Sequence, residues 1–284
     1  MRVIIQRNPA IGVGERGGRA VTAAAIRPLA RVLLMALPAL LFAFPPEAVA
    51  VDLRDAVRRI KPSVVAVGTY QATRRPPASL RGTGFVVADG LHVMTNAHVL
   101  PDALEDRHRE ALGVFIAQGE RMEFRPSEKV AEDRVHDIAL LRMTGSPLTP
   151  LALGNDTAVM EGQSVAFTGF PIAPVLGLHP VTHRGIVSAI APAAVAPPSP
   201  RQLDNRMIRR LEENYPVFQL DATAYPGNSG SPLYDAATGE VIGIVGSVVI
   251  KETKEKILRD PSGITYAIPI RHAKALMAGA GLSR

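Results

Sequence analysis

The 284-residue chain has no cysteine. Disulfides, thiolate metal sites and a cysteine nucleophile are therefore excluded, although the compartment stays open because many exported bacterial proteins lack disulfides. It has no H-E-x-x-H, and His92 and His98 flank a strand end instead of sharing a helix face, so a metal hydrolase has little support and no cofactor or metal is expected. A clustered basic face is also missing: Arg206, Arg209 and Arg210 are diluted by Asp204, Glu212 and Glu213, and nucleic acid is not an expected partner. Sustained helical periodicity is nearly absent between residues 62 and 200, which argues against a parallel α/β sheet.

What is present begins with a basic leader. Residues 1–50 hold six arginines against two glutamates, so +4 of the total +6 charge belongs to them. Arg27 and Arg31 precede an apolar run from Val32 to Phe44, and Ala48-Val49-Ala50 forms an A-x-A cleavage signature. As a helix the run covers roughly 20 Å, short of a hydrocarbon core of roughly 30 Å. A signal peptide over residues 1–50, cut after Ala50, is the reading; it predicts a periplasmic or secreted protein that touches a membrane only if the leader stays uncleaved.

Residues 51–61 suit a short amphipathic helix stopped by Pro62. Short β-rich runs then follow one another: SVVAVGTY (63–70), GFVVA (84–88), HVMTN (92–96), LGVFIA (112–117), DIALLRM (137–143), SVAFTGF (164–170), GIVSAI (185–190), VFQLD (217–221), EVIGIVGSVVI (240–250) and ITYAIPI (264–270). Asp89-Gly90 reads as a tight hairpin turn. Many short strands at this spacing predict an all-β antiparallel barrel or sandwich. Residues 145–150 mark a boundary between two halves, about 62–145 and 150–270. A Pro/Ala-rich loop (191–200), a short helix (203–213) and a further helix (271–281) complete the pattern.

Three residues carry the candidate chemistry. Ser229 lies in Gly227-Asn228-Ser229-Gly230, a turn whose N–H groups, those of Gly227 and Ser229 above all, can stabilise an oxyanion. His98 follows a strand and could serve as base. Asp137 heads an apolar strand, where a half-buried carboxylate wants a partner such as an imidazole N–H. Singly, each has a plain structural explanation: a Gly/Ser turn, a structural histidine, a strand cap. Among the other histidines, His108, His179, His183 and His272 read as surface residues.

Their order is more informative. His98, Asp137 and Ser229 are separated by 39 and 92 residues, each at a strand edge, in the order known for chymotrypsin. An α/β-hydrolase esterase would need Ser, Asp, His and a glycine at 231. G-T-G-F-V-V (82–87), V-M-T-N-A-H-V (93–99), D-I-A-L-L (137–141), G-I-V-S-A-I (185–190), D-A-x-x-x-P-G-N-S-G-x-P-L (221–233), G-E-V-I-G-I (239–244) and Y-A-I-P (266–269) complete a pattern over residues 63–270. In it the chain resembles the trypsin-like serine peptidases, and among them the HtrA/Deg branch of exported bacterial proteases. The resemblance implies two perpendicular six-stranded antiparallel β-barrels with a short C-terminal helix, and a serine endopeptidase acting on misfolded or exported proteins. Ser229 would be nucleophile, His98 base, Asp137 orienting acid, and the Gly227, Asn228 and Ser229 backbone the oxyanion hole. A protease fold retained only for binding is the alternative.

The departures are specific. Ser231 replaces the usual glycine, and Asn228 stands where digestive relatives carry Asp, so activation by a freed N-terminus is not expected. Thr223, six residues before Ser229, would floor the specificity pocket; uncharged and small, it predicts preference for small or medium apolar residues. Only 14 residues follow Ile270, too few for the PDZ domain that such relatives usually carry. Segment 191–213 falls where relatives place a regulatory loop and would cover the cleft or set an assembly contact. Peptide or protein substrates are the expected partners, with homo-oligomers left open.

Overall fold

The computed structural model describes residues 52–119, 121–171, 179–193, 215–246 and 264–282. The leader, most of the 191–213 segment with its expected helix, and the end of the 240–250 run lie outside the described residues. Helix α1 (Leu53–Ile60) starts at Asp52, whose carboxylate accepts the Arg54 N–H at 3.0 Å, and gives way to a 3-10 turn at Lys61–Ser63 containing Pro62. It buries Ala56 and Ile60 among Val64, Phe115, Phe170 and Tyr234.

Twelve strands follow: β1 (Val64–Tyr70), β2 (Ala78–Val87), β3 (His92–Thr95), β4 (Ala111–Gln118), β5 (Arg121–Asp133), β6 (Ile138–Met143), β7 (Ser164–Gly169), β8 (Val181–Pro192), β9 (Pro216–Asp221), β10 (Pro232–Asp235), β11 (Val241–Gly246) and β12 (Ile264–Pro269). Helix α2 (Ile270–Gly279) follows β12. All strand pairs are antiparallel, and they close into two six-stranded barrels, β1–β2–β3–β6–β5–β4 and β10–β11–β12–β9–β8–β7. The expected fold class is the one found.

Period-2 alternation explains the packing. Along β3 and β6, Val93, Ala139 and Leu141 fill the first barrel, while Met94, Ile138 and Leu140 point to the seam between barrels. There they meet Val241, Ile244 and Ile268 of the second barrel and Ile270, Ala273 and Met277 of α2. Phe167, Phe218, Leu220 and Leu233 fill the second barrel. At the expected hairpin, Gly90 (φ 83°) donates to the Val87 carbonyl and the Asp89 carboxylate accepts the Leu91 N–H at 2.9 Å.

Two strands escape the sequence reading. In β5, charges fall on both faces and Pro126 interrupts, so alternation is weak; pairing to β4 and β6 carries it. The four residues of β10 follow the Ser229 turn too closely to stand out as a run.

Candidate active site

The His98 turn is built first. β3 ends at Thr95, and Asn96, fully buried, turns the chain into the 3-10 turn Ala97–Val99. Buried Val99 anchors that turn in the first barrel, leaving the His98 side chain 43% exposed. The Asp137 backbone is held by its own carbonyl, which accepts from Asn96 Nδ2 at 2.9 Å and from the Ala97 N–H at 3.1 Å. Asp137 sits at φ 54°, a left-handed conformation that Asp tolerates better than most residues.

In this position Asp137 grips His98 twice. One carboxylate oxygen accepts the His98 backbone N–H at 2.9 Å, and the other contacts His98 Nδ1 at 2.6 Å. With the carboxylate accepting this contact, a neutral imidazole carries its proton on Nδ1 and leaves the Nε2 lone pair free. That is the tautomer a general base needs.

The Ser229 turn is stitched into the second barrel. Gly230 N–H donates to the Val245 carbonyl at 2.8 Å, and Val245 N–H returns to the Ser231 carbonyl at 2.9 Å. Gly227 (φ 101°) and Gly230 (φ 88°) supply the positive φ angles that the sharp reversal requires. Of the three expected oxyanion donors, Asn228 differs from the other two: its N–H donates to the Tyr225 carbonyl at 2.9 Å. The Gly227 and Ser229 N–H groups have no acceptor among the described residues, which leaves them available. Asn228 is fully buried, and neither its amide nor Ser231 Oγ has a partner among the described residues. Ser231 Oγ packs against Gly169, beside Asn228 Oδ1 and Thr83 Oγ1, in space that a side chain at 169 would take.

Thr83, on β2, crosses between the barrels. Its N–H donates to the Ser229 carbonyl at 2.8 Å, its hydroxyl donates to the Gly227 carbonyl at 2.7 Å and accepts the Phe170 N–H at 3.0 Å, and its carbonyl accepts the Thr95 hydroxyl at 2.7 Å. Within G-T-G-F-V-V, Thr83 is marked in the sequence only as a hydroxyl residue between two glycines. Gly82 brings the halves together, since a Cβ there would lie 2.6 Å from the Val99 side chain and 2.9 Å from the Ser229 carbonyl oxygen. Ser229 Oγ and His98 Nε2 form no hydrogen bond in this resting geometry, a looseness common before substrate binds.

Thr223 is half-buried. Its neighbours are pinned to β12 by Thr265, whose hydroxyl donates to the Ala222 carbonyl at 2.5 Å and accepts the Ala224 N–H at 3.0 Å. Two histidines read as surface residues prove partly buried: His183 stacks on Phe167 and His272 on His136, and each has a shielded Nε2 without a partner among the described residues. Burial lowers the pKa of both, that of His272 to about 4. No group of three or more metal-ligating side chains occurs among the described residues.

Two closed barrels with a histidine–aspartate pair and a glycine-lined serine turn at their junction define the class. The chain belongs to the trypsin-like peptidase domain family, whose model matches residues 82–244. Relatives are of the HtrA/Deg type. A DegP-like periplasmic serine endoprotease of Pseudomonas fluorescens is 32% identical over 69% of this chain and 34% of its own length. Mitochondrial serine protease HTRA2 of Bos taurus is 33% identical over 76% of this chain and 40% of its own length. The chain thus spans well under half of these curated relatives. Among solved structures, the HtrA-type protease AlgW with a tripeptide superposes with TM-score 0.57 at 25% identity, over 81% of this chain and 63% of that one. The serine endoprotease from Yersinia pestis gives TM-score 0.55 at 25% identity, over 81% and 66%.

Proposed function

We propose that this chain is a serine endopeptidase using Ser229 as nucleophile, His98 as general base and Asp137 as the residue that orients the base. The observation that carries this reading is the double grip of Asp137 on the backbone and ring of His98, set against a turn whose Gly227 and Ser229 N–H groups have no acceptor among the described residues. In the reaction His98 Nε2 takes the Ser229 proton as Oγ attacks the peptide carbonyl. The carbonyl π electrons move onto oxygen, and the Gly227 and Ser229 N–H groups receive the oxyanion; one such donor is worth about 3 kcal/mol. Collapse expels the amine, which takes the proton from His98, and water then releases the acyl group by the same route.

Thr223, without charge, supports cleavage after small or medium apolar residues. The leader and the naming of relatives as periplasmic support export to the periplasm or beyond. Labelling by a serine-directed fluorophosphonate, together with cleavage of an unfolded protein, tests the assignment. Both should be present in the wild type and lost in Ser229→Ala. A folded wild type that neither labels nor cleaves would favour the binding-protein reading, for which the missing Ser229–His98 hydrogen bond is the relevant observation.

A further inference from the structure

The turn that presents Asp137 is braced from outside the first barrel. Asp133 closes it by accepting the Val135 and His136 N–H groups on one oxygen, at 3.0 and 3.1 Å, and contacting His136 Nδ1 with the other at 2.6 Å. This fixes the His136 ring, one residue before Asp137, on the outer side of the turn. There it stacks face to face on His272 of α2, with centroids 3.8 Å apart and planes 23° apart. Tyr215, just ahead of β9, tilts against both rings at 4.5 and 5.1 Å.

The support behind the stack is stiff. Ile270, Ala273 and Met277 root α2 in the seam with Met94, Ile138 and Leu140, from the strands that lead into His98 and out of Asp137. Arg271 pairs with buried Asp156 at 2.5 Å, and Lys274 donates to the Gly154 carbonyl at 2.6 Å. The helix therefore cannot shift without breaking a packed interface and two charge-assisted bonds.

We propose that the His136–His272–Tyr215 ring stack is a positioning device for the catalytic acid, clamping the 133–137 turn so that Asp137 keeps its left-handed backbone and its two bonds to His98. This rests on Asp137 acting on His98 as proposed above. The stack needs an uncharged His272. Its surroundings favour that form: burial disfavours protonation most, the neighbouring His136 and Arg271 add to that, and Asp133 and Asp156 oppose them only in part. Two protonated rings with centroids 3.8 Å apart would repel, so a neutral His272 suits the stacked geometry.

The test compares His272→Ala, which removes the ring, with His272→Phe, which keeps a flat ring without a charge. His272→Ala should lower kcat about tenfold with KM within about twofold, because a misplaced carboxylate weakens the transition state more than binding, while His272→Phe should stay within about twofold of wild type in both. Independently of turnover, the far-downfield proton resonance of His98 Nδ1–H, hydrogen-bonded to Asp137, should broaden in His272→Ala and persist in His272→Phe. A folded His272→Ala with wild-type kcat and an unchanged resonance would overturn the proposal. If the wild type proves inactive, the protease reading fails, and the resonance alone then decides whether the clamp exists. Should His272→Ala not fold, Tyr215→Leu removes a different ring from the stack and the same readouts apply.

Discussion

Thr83→Val tests the link between barrels most directly. Valine keeps the shape and loses the hydroxyl, which donates to the Gly227 carbonyl at 2.7 Å and accepts the Phe170 N–H at 3.0 Å. Both Thr83 and Phe170 are buried, so water cannot replace the lost partner. Leaving a buried polar group unsatisfied costs about 1–3 kcal/mol; with two groups affected, one of them less buried, a loss of about 2–4 kcal/mol of stability is expected. The kinetic effect has a separate bound. Deleting an oxyanion donor outright costs about 10²–10³ in kcat, and Thr83→Val only loosens the Gly227 peptide, so kcat should fall about 10- to 100-fold. Thr83→Ser keeps both bonds and should stay near wild type. Denaturant unfolding, peptide turnover and the second-order rate of fluorophosphonate labelling measure the three consequences. A folded Thr83→Val with kcat and labelling rate equal to wild type would show that the Thr83 hydroxyl does not hold the Gly227–Ser229 turn.

Two further outcomes follow from the same geometry. Gly230→Ala places a Cβ at φ 88°, overlapping the Thr83 carbonyl oxygen and 2.5 Å from Thr95 Oγ1; activity should drop by about 10² or more as the turn is displaced, and a folded, fully active variant in a kcat/KM and melting comparison would refute the packing described. For pH, His272 falls from an ordinary value of 6.5 to about 4 in the fold. Between those values the unfolded chain binds a proton that the folded chain refuses, so stability falls as pH drops through that window, by at most about 1.4 kcal/mol per pH unit from this group, and no further below it. Unfolding curves from pH 4 to 7 should be flatter for His272→Phe than for wild type; equal slopes would mean that His272 is not held neutral.

The fold was legible wherever one strand face is apolar. β1, β3, β6, β7 and β11 show themselves as runs because their residues are buried. β5 did not, since a strand whose side chains largely meet solvent needs no apolar alternation and is defined by its hydrogen-bonded neighbours. At the site, His98, Asp137 and Ser229 stand out because their local sequences are distinctive. Thr83 does not, since its partner Gly227 lies 144 residues away and only barrel docking joins them. The polar and small sequence neighbours of His272 mark it as a surface residue; what covers it are the rings of His136, from the first barrel, and Tyr215. Long-range contact, not local composition, separates the legible residues from the rest.

The register of β3 against β6 connects core to chemistry. Val93 pairs with Leu141, Met94 with Leu140 and Thr95 with Ala139. This pairing sends Val93 and Leu141 into the first barrel and Met94 and Leu140 into the seam. The same pairing brings the chain leaving β3 beside the chain entering β6, where Asn96, Ala97 and His98 meet Asp137. A slip of one residue would turn each side chain to the opposite face, exposing the seam residues on one strand, and would shift the strands by about 3.4 Å. The bonds to Asp137 are 2.6–3.1 Å long, so such a shift would break them all. The apolar residues on the two faces therefore select the one alignment in which the carboxylate reaches the imidazole, and substitutions at Met94 or Leu140 should be felt at His98 although neither side chain belongs to the site.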